Sequence, residues 1–136
     1  MNLCVKKMTK RSLFGLMGIL VSFSVNAAND SSIKGDLRVN IHKSMNHYID
    51  TQTVDGSILI YDSVKGKLLK LKLDELHDGI VKKGNFYVSC ADFIDQDGRK
   101  VDIDFMVRPI DQKFVTTQAL VHSIDGKKRK YHLEKI

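Results

Sequence analysis

The sequence predicts an α+β domain, with an N-terminal helix packed on a curved antiparallel β-meander of about six strands. Three observations carry this expectation. Apolar residues recur every three to four positions from Asp36 to about Thr53, β-forming runs take over after Gly56, and Asp/Gly turn signals punctuate those runs at 62–67, 95–99 and 125–127.

The chain opens with Lys6, Lys7, Lys10 and Arg11, then an apolar run from Leu13 to Val25 and the small-residue end Val25-Asn26-Ala27. This is the pattern of a secretory signal peptide over residues 1–27. The run is shorter than the roughly twenty residues that cross a bilayer as a helix, so no transmembrane segment is expected in the mature chain. The expected location is periplasmic or secreted. Cleavage leaves 109 of the 136 residues, enough for a single domain with its own core. Residues 28–35, small and polar, suit a flexible leader, with the α+β domain over 36–136.

Charge points the same way. Four of the 22 Lys and Arg residues and none of the 16 acids precede residue 28, so a net charge of +6 falls to +2 in the mature chain. A basic balance is then no argument for nucleic acid as a partner. Cys4 lies in the signal, leaving Cys90 as the one mature thiol. No internal disulfide framework is available, and Cys90 is buried, reactive or paired with another molecule.

The helix places Leu37, Ile41, Met45, Tyr48 and Ile49 on one stripe, with Arg38, Lys43, Asn46 and Asp50 facing away. Asp36 or Ser32 is the expected cap, and Asp55-Gly56 the expected turn after the helix. Three hairpins follow: Ser57–Tyr61 with Lys67–Leu73, Asn85–Ile94 with Lys100–Arg108, and Lys113–Ser123 with Lys128–Leu133. Residues Asp74–Gly84 read as a loop or short helical turn, and Pro109 falls between hairpins. Strand Ser57–Tyr61 is apolar on both faces, which implies either a central strand covered on both sides or a homodimer contact.

This order, one helix and then an antiparallel meander, resembles the cystatin-like superfold, which includes the nuclear transport factor 2-like domains. The resemblance implies architecture alone. The cystatin inhibitory motif Gln-x-Val-x-Gly is absent, and Gln118-Ala-Leu-Val121 does not supply it.

The chemistry-bearing stretch runs from Cys90 to Phe105, and its faces depend on the turn. If Gln96-Asp97-Gly98 is a three-residue loop with Gly98 left-handed, Phe93, Ala91 and Ser89 pair with Val101, Ile103 and Phe105. Asp92 then opposes Asp102 and Cys90 opposes Asp104, which gathers three carboxylates and a thiol on the other face. If Asp97-Gly98 is a two-residue turn, the register slips by one and Asp92 faces Ile103. Under the first register Cys90, Asp92, Asp102 and Asp104 read either as a small cation site or pair of coupled carboxylates, or as the solvated outer face of a hairpin balanced by Arg99, Lys100 and Arg108. His77 is an addition, a partner for Cys90 in a Cys/His nucleophile pair. Asp95-x-Asp97-Gly98 lacks the earlier Asp and closing Glu of a calcium loop.

His42 and His47, about 140° apart on a helix, share no ligand face. His122 and His132 flank the last hairpin without an evident third ligand. Lys127, Lys128, Arg129 and Lys130 form the densest basic run, read either as protection of a strand edge or as a patch for acidic partners. No Gly-rich phosphate loop, Gly-x-Ser-x-Gly or His-Glu-x-x-His motif occurs. The expectation is an exported non-enzymatic binding or interaction module, without a cofactor, whose partner is a protein or small molecule. The alternative is a metal-handling or thiol-dependent enzyme using the Cys90/Asp92/Asp102/Asp104 face.

Overall fold

A computed structural model describes residues 28–130 and 132–136. The signal-peptide reading of 1–27 lies outside them. Helix α1 spans Gly35–Gln52, and six strands follow: β1 Ile58–Asp62, β2 Lys67–Lys83, β3 Phe86–Asp95, β4 Lys100–Ile110, β5 Lys113–Ile124 and β6 Lys127–Lys128. They form one antiparallel sheet in sequential order, and a 3-10 turn, Leu133–Lys135, closes the described chain. Among the described residues no helix is long and apolar enough to cross a membrane.

The helical stripe does what its spacing requires. Ile41, Met45 and Ile49 are buried, and Leu37 and Tyr48 pack beside them. Met45 and Ile49 enter a core with Ile58, Leu71, Phe93, Val101, Ile103 and Phe105, while Ile41 joins Ile33, Ile80 and Val107 in a second cluster. Tyr48 meets Phe105 edge to face, with centroids 5.9 Å apart. Each such large apolar side chain contributes about 1.5–3 kcal/mol through burial. One face of the sheet therefore carries the core shared with the helix, and the other carries the Cys90, Asp92 and Asp104 side chains together with exposed apolar residues such as Tyr61 and Leu120.

Several details depart from expectation. Helix α1 is entered from Lys34 without a side-chain cap, so neither Asp36 nor Ser32 caps it. Within 28–35, Ile33 is buried, Asp30 N–H donates to Ile80 O, and Asn29 Oδ1 accepts from Ile80 N–H and Arg38. Arg38, expected on the outer face, binds this segment back to the helix by donating also to Ile33 O.

The segment Asp74–Gly84 is not a loop or helical turn; nearly all of it continues β2, with register shifts between Leu73 and Glu75 and between Leu76 and Ile80. The irregularities erase the period-two alternation that would have announced a strand. Strand β4 runs on through Pro109, which lies opposite Phe114 near the strand end. The strand expected over Lys128–Leu133 is only Lys127–Lys128 before the chain leaves the sheet. Finally, β1 is an edge strand rather than a central one: Ile58 and Ile60 are buried, whereas Leu59 and Tyr61 are 60% and 63% exposed.

Candidate functional site

The β3–β4 turn sets the site. Asp95 N–H donates to Arg99 O, Gly98 N–H donates to Asp95 O, and Gly98 has φ +76°, a left-handed conformation glycine adopts without steric cost. The loop is thus Gln96-Asp97-Gly98, and the first of the two registers holds: Asp92 opposes Asp102 and Cys90 opposes Asp104. Asp95 is occupied by this turn, accepting from Asp97 N–H, Arg99 N–H and the Arg99 guanidinium.

On the face away from the helix, Cys90 and Asp104 meet. The Cys90 thiol donates to Asp104 Oδ1 at 3.0 Å. His122 Nδ1 lies 2.8 Å from the same oxygen and 3.5 Å from Asp102 Oδ2, so Nδ1 carries the proton that Asp104, an acceptor, receives. Asp104 Oδ2 accepts the Leu133 N–H at 3.0 Å, and the His132 ring stacks on His122 with centroids 4.3 Å apart. Asp104 is fully buried, and Cys90 and His122 are each 4% exposed.

His122 sits at an irregularity on this face. Asp102 pairs with Ser123 but Ile103 pairs with Val121, leaving His122 as the extra residue of a bulge. Sequence alternation alone assigns adjacent Val121 and His122 to opposite faces but gives no sign that the bulge carries His122 over Asp102 and Asp104.

Asp92 sits beside them. Its Oδ2 is 3.1 Å from His77 Nε2 and 2.5 Å from Lys100 Nζ. His77 projects here from the irregular part of β2, so it partners Asp92 rather than forming a nucleophile pair with Cys90. All five expected residues, Cys90, Asp92, Asp102, Asp104 and His77, therefore lie in one cluster. Donor atoms of Cys90, Asp102, Asp104 and His122 fall within 4.8 Å of one another, as do those of His77, Asp92 and Asp102.

The carboxylates titrate apart. Burial pushes Asp102 up to about 6, with Asp104 and Asp92 adding to the rise and His122 and His77 opposing it. Burial also pushes Asp104 up, but the His122 and Cys90 hydrogen bonds, the His122 charge and the Leu133 N–H outweigh it, holding Asp104 below the ordinary carboxylate value.

The basic run divides. Lys127 and Lys128 are exposed on β6, whereas Arg129 turns in to an ion pair with Asp62 on β1. Arg129, Lys130 and Lys135 line a cavity of about 550 Å³ whose apolar wall includes Tyr61, Val64, Leu120, Leu133 and Ile136. Leu133 thus touches both the cavity and the cluster beneath it.

No family model, curated protein or solved structure matches this chain.

Proposed function

We propose that the protein is an exported, non-enzymatic binding module, cystatin-like in architecture, whose ligand is an amphipathic anion held in the cavity between β1, β5 and the 3-10 turn. The observation that carries this reading is the cavity lining. Tyr61, Val64, Leu120 and Ile136 are large apolar side chains left exposed, and they converge on one concavity rimmed by Arg129, Lys130 and Lys135. Among the described residues the acidic side chain of the lining is Asp62, which is paired with Arg129. A volume of about 550 Å³ lies in the range of small-molecule sites. Apolar walls with cationic groups at the rim suit an acyl chain bearing a carboxylate or phosphate. The N-terminal basic-then-apolar pattern supports export.

A thiol-dependent enzyme is less well supported. Cys90 is buried and donates its proton to a carboxylate, an arrangement that offers a substrate no approach to sulfur.

Isothermal titration with dodecanoate tests the reading. Saturable one-to-one binding is expected, weakened about tenfold by Lys135→Glu and abolished by Leu120→Trp, which fills the cavity. Absence of saturable binding would overturn it, as would dodecanol binding equally well. A dimer in sedimentation that disappears with Leu120→Trp would instead assign the apolar face to a second copy.

A further inference from the structure

We propose that Cys90, Asp102, Asp104 and His122 form a binding site for one divalent transition metal ion of the zinc class. This goes beyond the cavity reading and uses different atoms.

The donor set combines one thiol, one imidazole and two carboxylates, the sulfur, nitrogen and oxygen ligands from which four-coordinate zinc sites are built. They come from three adjacent strands, β3, β4 and β5, so the sheet fixes their spacing before any ion arrives. Tetrahedral ligands at zinc lie roughly 3.3–3.8 Å from one another. Here Cys90 Sγ and His122 Nδ1 lie 3.0 and 2.8 Å from Asp104 Oδ1, and His122 Nδ1 lies 3.5 Å from Asp102 Oδ2. An ion replacing the protons that join these atoms would spread the two closest pairs by roughly half an ångström to an ångström.

Charge independently points to a cation. Asp92, Asp102 and Asp104 cluster on one face, and Asp92 directly opposes Asp102 across the ladder, a destabilising pairing of like charges. Lys100 is the fixed cation at Asp92, while Arg99 is committed to Asp95 and Asp97. Two carboxylates remain for a divalent ion. In addition, Asp102 Oδ1 is a buried oxygen without a hydrogen-bond partner among the described residues. Leu133 N–H, by holding Asp104 Oδ2, would orient that ligand from outside the coordination sphere.

Binding is a proton exchange. The metal–sulfur bond forms as the Cys90 S–H bond breaks, and that proton leaves to solvent. His122 coordinates through Nδ1 as the neutral imidazole, its proton passing to Nε2. Above about pH 6, where Asp102 as well as Asp104 is ionised, one proton is released per ion bound.

The test is native mass spectrometry of residues 28–136 titrated with Zn²⁺, together with absorption spectra of the Co²⁺ form. One zinc per chain is expected, with a thiolate-to-cobalt charge-transfer band that Cys90→Ser removes. Asp102→Asn replaces a charged carboxylate ligand with a neutral amide at a side chain whose nearest polar partner among the described residues is His122, and should weaken zinc binding at least about tenfold while the metal-free protein stays folded. It keeps the test decisive should Cys90→Ser fail to fold. Absence of a zinc adduct, a cobalt spectrum without the thiolate band, or zinc affinity unchanged in Asp102→Asn would each overturn the proposal. Dodecanoate binding reads the cavity separately, so failure of one assignment leaves the other measurable.

Discussion

Leu133 donates its main-chain N–H to Oδ2 of Asp104 at 3.0 Å while its side chain is almost wholly buried, so a single residue roofs the polar cluster and anchors the 3-10 turn. Leu133→Ala should destabilise the fold by about 2–4 kcal/mol, the cost of losing a buried leucine side chain. It should also expose Cys90. Urea denaturation reads the first effect and timed iodoacetamide labelling, followed by intact mass, reads the second. Labelling no faster than in the parent protein would show that something other than Leu133 shields the thiol.

Asp102 and Asp104 give pH dependences of opposite sign. Burial raises Asp102 to about 6 from 3.8, so between those values the folded state holds a proton that the unfolded chain has released. Its contribution to stability is complete below about 3.8 and is lost as pH rises through 6. Asp104, held low, contributes stability above the ordinary carboxylate value that is lost on acidification. In chelator-treated protein, Asp102→Asn should therefore gain on the parent as pH rises from about 4 to 7, by about 2–3 kcal/mol at most. Urea midpoints that run parallel across this range would sink the assignment.

The sequence announces the elements whose chemistry is local and periodic. The Ile41/Met45/Ile49 stripe specifies a helix because its spacing matches the helical turn, and Gly98 specifies a tight turn because it can adopt a left-handed φ, which suits a two-residue or a three-residue loop alike. From that loop the pairing of Asp92 with Asp102 and of Cys90 with Asp104 follows as one of two registers. What the sequence conceals depends on irregularity. The shifts in β2 remove the alternation that would mark 74–83 as a strand, and alternation places His122 on the outer face without showing the bulge that leaves it between Asp102 and Asp104. The cavity is hidden for another reason: Tyr61, Val64, Leu120 and Ile136 are scattered along the chain, and only the folded arrangement of β1, β5 and the 3-10 turn brings them together.

Asp95 is the organising acid of the β3–β4 turn. Burial raises its pKa, yet the Arg99 N–H and guanidinium and the Asp97 N–H outweigh burial and hold it low. Replacing it with Ala removes several charge-assisted hydrogen bonds, each of about 1.5–3 kcal/mol, and leaves the turn's donors without their acceptor. Asp95→Ala should cost about 2 kcal/mol or more and, by loosening the register, weaken zinc binding at the distant cluster. Asp95→Asn should retain part of both. Chemical denaturation with zinc titration checks the pair, and full zinc affinity in Asp95→Ala would show that strand pairing holds the register without the turn.

Asp62 on β1 and Arg129 beyond β6 form an ion pair that joins the two ends of the sheet, and both side chains are largely shielded from water. Coulombic attraction there competes with the cost of desolvating each group, so the pair as a whole adds little, whereas breaking it strands a buried charge. Asp62→Ala should destabilise by about 3–5 kcal/mol, because Arg129 loses its carboxylate. The double replacement Asp62→Leu/Arg129→Met should recover most of that loss, since apolar side chains of similar bulk fill the seam without a charge to desolvate. Thermal and urea unfolding of the two variants distinguish the cases. If the double variant is as unstable as the single one, the seam depends on the ion pair itself rather than on avoidance of an unpaired charge. Dodecanoate binding should hold or rise in Asp62→Ala where folding persists, because the cavity lining loses its carboxylate and Arg129 keeps its charge for the ligand.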